Sequence, residues 1–124
     1  MPIQKLTLAS GTATAPGTST PVAIGTLTGD WTLFLNLATF ADPTATARFV
    51  IEEATSSAFS SPLGLAVFNL AGGFNNAGGV TVSFRKREAA GSDLFGTSGA
   101  YARLNIQELN GFLPSVTYNC WIEY

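Results

Sequence analysis

Trp31-Thr32-Leu33-Phe34-Leu35-Asn36-Leu37-Ala38 is the stretch on which the fold class turns. Trp31, Leu33, Leu35 and Leu37 alternate with Thr32, Phe34, Asn36 and Ala38. Successive side chains of an extended chain point to opposite faces, so one face of this segment is wholly apolar, as a half-buried strand requires. The same period of two recurs in both directions. Ala45, Ala47, Phe49 and Ile51 alternate after the Asp42-Pro43 turn signal, and Leu63 to Leu70 is an apolar run entered through Ser61-Pro62 and followed by Gly72-Gly73. Val80, Val82 and Phe84 alternate, then Ala102, Leu104 and Ile106, and finally Val116, Tyr118, Cys120 and Ile122. Further strands are expected in 4–10 and 21–27. Short strands separated by turn chemistry predict an all-β protein, an antiparallel β-sandwich or jelly-roll of about seven or eight strands.

Helix signals are thin. The best is Glu52 to Phe59, enough for one turn inside a Ser-rich connection. Gly72-Gly73 and Gly78-Gly79 bracket Phe74-Asn75-Asn76-Ala77 and read as turn residues, since no phosphate-loop lysine or helical pattern follows them. The segment Ala9 to Thr20 is built from Ser, Gly, Thr, Ala and Pro. Residues 1–20 are therefore expected to form an extended or flexible arm, and 21–124 a single sandwich domain whose apolar alternation begins near Val22. A chain fixed in an extended form loses conformational entropy, so such an arm would order only where it pairs with a neighbour's sheet edge.

The chain has 124 residues, of which 46% are hydrophobic and only 11% charged, against roughly 25% charged in ordinary domains. Its surface must therefore be largely Ser, Thr, Asn, Gln, Gly and Ala, which repels neighbours weakly and suits an assembled protein. A net charge of −2 and a pI near 4.8 oppose functions that neutralise many phosphates. Nucleic acid is not an expected partner, and no bilayer-spanning run or secretory h-region is present, so cytosolic synthesis is expected.

Cys120 is the single cysteine and histidine is absent, which leaves no soft-metal set, no cysteine–histidine dyad and no Ser-His-Asp triad. Glu52 and Glu53 are neighbours on a strand and so point to opposite faces, which disqualifies them as paired acid and base. No enzymatic activity, catalytic residue, cofactor or metal site is expected.

Two surface features stand out as partner contacts. Arg85-Lys86-Arg87-Glu88 is the densest charge, with Arg85 and Arg87 on one strand face, and Arg103 joins them if the polar faces align. The bland reading is a solvated ladder in which Arg48, Glu52 and Arg103 pair across strands. The sharper one is a subunit contact that uses the planar guanidinium fork. Trp121 falls out of phase with Val116, Tyr118, Cys120 and Ile122. Either the last strand is buried on both faces or Trp121 marks a contact. Exposed aromatics would also suit a sugar platform, with Trp31 and Trp121 the rings to test.

The order Phe49-Val50-Ile51-Glu52-Glu53, Ala58-Phe59-Ser60-Ser61-Pro62, Val82-Ser83-Phe84-Arg85-Lys86-Arg87-Glu88, Ala102-Arg103-Leu104-Asn105-Ile106 and Pro114-Ser115-Val116-Thr117-Tyr118-Asn119-Cys120-Trp121-Ile122-Glu123 resembles small structural proteins of tailed bacteriophages. It runs from about Trp31 to Tyr124 and leaves the Ala9 to Thr20 segment without a counterpart. The resemblance implies a capsid decoration or cement protein of the virion that forms homo-oligomers, binds a major capsid protein and stabilises the head. Two other classes stay open: a carbohydrate-binding or adhesin-like module with a glycan ligand, and a self-assembling phage coat or tail protein.

Overall fold

Every period-two run becomes a strand in the computed structural model, which describes residues 4–25, 31–40, 44–59, 62–71, 74–85, 100–112 and 114–124. In chain order the strands are β1 (Lys5–Ala13), β2 (Gly17–Thr18), β3 (Val22–Ala23), β4 (Thr32–Phe40), β5 (Thr46–Ala54), β6 (Leu63–Ala71), β7 (Phe74–Arg85), β8 (Tyr101–Asn110) and β9 (Val116–Glu123). They form two antiparallel sheets. The first has the order β1-β9-β4-β7; the second has β2-β8-β5-β6, with β3 also on β8.

That order has a simple logic. β1 pairs with β9, β2 and β3 with β8, β4 with β7, and β5 with β6, so the first half of the chain lies antiparallel along the second. Successive pairs fall alternately in the two sheets, and the β4–β9 and β5–β8 ladders join them. A long hairpin rolled up in this way is a jelly roll, with β2 and β3 as one strand broken ahead of Pro21.

Between the sheets lies the apolar set that alternation selects. Leu33, Leu35 and Leu37 of β4 meet Phe49 and Ile51 of β5, Leu104 of β8, and Cys120 and Ile122 of β9, all buried in one cluster. Each such Leu, Ile or Phe contributes on the order of 1.5–3 kcal/mol relative to exposure. Register shifts in both β4 ladders between Leu37 and Thr39 bring Phe40 inward beside Leu37.

Three expectations change. The segment anticipated as an arm over residues 1–20 is part of the sandwich from residue 5: β1 runs along β9 of its own chain, and Leu8 is a buried core residue well before Val22. A strand over 4–10 was expected, but small side chains obscured its continuation to Ala13. One of them is required, because Gly11 has φ +152°, a backbone conformation that residues with a Cβ rarely adopt. Gly78-Gly79 does not end a strand; it lies within β7, where the register passes from Val80 opposite Leu37 to Asn75 opposite Thr39. Glu52 to Phe59 is not helical either. β5 continues through Ala54, and a turn closed by the Phe59 amide on the Ser56 carbonyl (3.2 Å) follows it.

Candidate functional site

With the interior filled, interaction-capable groups lie on the two outer sheet faces, in the loops and along the sheet edges. On the second sheet the register sets Glu52 of β5 directly opposite Arg103 of β8. Arg103 Nε donates to Glu52 Oε1 at 2.9 Å, Asn105 Nδ2 donates to Oε2 at 3.4 Å, and the guanidinium carbon sits 4.2 Å from the Phe59 ring centroid. The turn after β5 thereby folds back over the outer face. Val50, Ala54 and Phe59 are buried there, outside the main core cluster. Glu53 points to the other side of its strand and is fully buried.

Farther along the same face, Arg48 Nε donates to Gln107 Oε1 at 2.8 Å and Arg48 Nη1 to Asn69 Oδ1 at 3.4 Å. Arg48, Glu52 and Arg103 do share a face, but they act as two separate polar clusters. Arg103 has only 19% of its side chain exposed, with its Nε on Glu52 and its guanidinium over the Phe59 ring. Arg85 belongs to the other sheet: it ends β7 opposite Thr32, whereas Arg103 lies on β8. The side chain of Arg85 and the whole of Arg87 lie outside the described residues.

On the first sheet the outer face carries Trp121. It is cross-strand to Phe34, and their rings stack at 5.2 Å between centroids and 12° between planes. From β1, on the opposite side of β9, Lys5 Nζ stands 4.6 Å from the centre of the same indole, and Trp121 Nε1 donates to Glu123 Oε2 at 3.0 Å. The out-of-phase Trp121 thus reflects neither a strand buried on both faces nor an open platform. Its own sheet neighbours flank it on both sides. Trp31 is a core residue with 3% exposure. Amide and hydroxyl pairs also lie on this sheet, with Asn36 Nδ2 donating to Thr81 Oγ1 at 2.8 Å and the Thr12 and Thr117 hydroxyls 3.0 Å apart.

Other features are modest. A cleft of about 130 Å³ opens where the chain crosses from β1 to β2, lined by Ala13, Gly17, Ser19, Leu104, Ile106 and Tyr118 among others. That is below the roughly 300–1,000 Å³ of ligand pockets. Cys120 is buried, and loss of hydration pushes its thiol up to about 12. Among the described residues no three acidic or cysteine side chains gather to hold a metal ion.

Phe112, in the β8–β9 connection, is 84% exposed and was not singled out by periodicity, which is silent in loops. The signal that would have found it is an apolar pair, Phe112-Leu113, set between turn residues Gly111 and Pro114. The chain matches no protein-family model, no curated protein and no solved structure.

Proposed function

We propose that this protein is a non-enzymatic structural protein that works by assembly, in the head-decoration or cement role that its resemblance to phage proteins implies. The observation that carries the reading is that, among the described residues, the arginines and the tryptophan of the two outer faces are engaged within the chain. Arg103 is bound to Glu52 and Phe59, Arg48 to Gln107 and Asn69, and Trp121 to Phe34, Lys5 and Glu123. Among the described residues, what remains for a partner includes backbone at the sheet edges and isolated apolar side chains such as Phe112 and Val67. Assembly proteins join through such elements. Jelly rolls are used in capsid and lectin domains alike, so the fold by itself favours neither.

The glycan alternative loses its two ring platforms. Sugar stacking needs an open aromatic face, whereas Trp31 is buried and Trp121 has Phe34 on one side and Lys5 on the other. The test is co-sedimentation of the purified chain with phage heads, with its copy number per head measured by quantitative mass spectrometry. A fixed, saturable stoichiometry is the expected result. Failure to bind heads, with glycan binding that Trp121→Ala abolishes, would replace this reading with the carbohydrate one.

A further inference from the structure

The four sheet edges are not equally protected. Exposed edges invite pairing with another chain, and proteins blunt them with charge, proline, bulges or short length. β1 begins with Lys5 and carries a register shift between Thr7 and Ala9. β2 and β3 are two residues each, flanked by Pro16 and Pro21. β7 is interrupted opposite the Leu37/Thr39 shift, holds Gly78-Gly79 and ends in Arg85.

β6 differs from all of them. Leu63-Gly64-Leu65-Ala66-Val67-Phe68-Asn69-Leu70-Ala71 contains no charge and no proline, and its one irregularity lies near Gly64. From Ala66 to Ala71 it is in unbroken register with Ile51 to Thr46 of β5, and among the described residues it pairs with nothing on its other side. Six uncharged residues without proline or glycine, Val67 and Phe68 of high strand propensity among them, on an edge that the described residues leave unpaired, are a template for β-pairing. Val67, on the outward side of this stretch, is 44% exposed.

We propose that β6 is the self-association edge of this protein, pairing antiparallel with β6 of a second copy about a two-fold axis near Val67. This deepens the structural reading above and rests on it. A second copy fits because an uncharged strand meets itself without like-charge repulsion, and a two-fold axis makes the patch self-complementary. Centring on Val67 covers the exposed valine with its own mate. Moving the axis by one residue, to Phe68, would set Val67 against Asn69, whose carbonyl already accepts from Arg48. Pairing along one short edge buries less than the roughly 1,200–2,000 Å² of a stable complex. The contact is therefore weak in solution and gains strength where many copies share one surface.

Sedimentation velocity of the purified chain, without particles, tests this. The wild type is expected to dimerise reversibly with a dissociation constant on the order of tens of micromolar or weaker. Val67→Lys and Val67→Glu, each made at an exposed position and checked for a native far-ultraviolet spectrum, are each expected to weaken dimerisation about ten-fold or more. An equimolar mixture of the two variants is expected to restore it. A wild type that stays monomeric to ~1 mM, or variants that dimerise as the wild type does, would overturn the inference. Monomeric chain that binds heads through Val67 would also overturn it, by assigning the edge to a different partner. Head binding is measured separately, so self-association without head binding would sink the decoration role and leave the β6 pairing standing.

Discussion

Arg103 ties two parts of the molecule together: it binds Glu52 across the sheet and covers Phe59 of the returning turn. Removing one partner of a largely buried ion pair leaves the other charge uncompensated, which costs more than the pair contributes. Glu52→Ala is therefore expected to destabilise the fold by about 2 kcal/mol in urea unfolding. Glu52→Leu combined with Arg103→Met should recover most of that loss. If Glu52→Ala unfolds at the wild-type midpoint, the cluster is not what holds the turn. Cys120 makes a second residue-scale case, with a sign that can be worked out. Its thiol rises from 9.0 to about 12 because burial penalises the thiolate. Between those values the unfolded chain loses this proton while the folded one keeps it, so the Cys120 contribution to stability is fully present below about pH 9 and declines as pH rises toward 12. Cys120→Ala should flatten that alkaline decline, even though its midpoint at neutral pH is lower from the cavity it leaves. In the native protein at pH 8, Cys120 should resist a thiol reagent until denaturant is added.

At the scale of elements, β1 carries the sharpest prediction. It runs along β9 from Lys5 opposite Glu123 to Ala13 opposite Val116, and two further backbone bonds join Gln4 with Tyr124. Deleting residues 2–13 should thus unfold the protein, and Leu8→Ala should cost about 2–5 kcal/mol like other core leucines. A truncated chain with a native spectrum and an unchanged melting temperature would return β1 to the status of an arm. The strands built on Val, Ile, Leu and Phe were legible because apolar residues at every second position leave no other low-energy arrangement. β1 was legible only in its first half, as a strand over 4–10: Gly11 and its hydroxyl neighbours match a linker in composition, and only the fold reveals the positive φ that calls for glycine there. The placing of Glu52 and Glu53 on opposite sides of one strand followed from the two-residue period alone. The separation of Arg85 from Arg103 did not, because strand order, and hence sheet membership, is set by long-range pairing that local alternation does not encode.

For the molecule as a whole, the contrast among the described residues is between engaged side chains on the faces and an unpaired edge at β6. Trp121→Ala removes the ring that Phe34 and Lys5 both contact, and is expected to lower stability by about 1–3 kcal/mol while leaving head binding intact. Loss of head binding by a Trp121→Ala variant that is still folded at the assay temperature would make the first sheet's outer face, and not an edge, the functional surface. Amide hydrogen exchange reads the edges directly, because it follows backbone hydrogen bonds and not side chains. Comparing dilute chain with chain assembled on heads, the amides of residues 66–71 should slow markedly on assembly, while those of β9 and β4, already paired on both sides, should not change. Protection that appears only in loops, with residues 66–71 exchanging as fast as in the dilute protein, would contradict an account in which this jelly roll assembles through the edge of its second sheet.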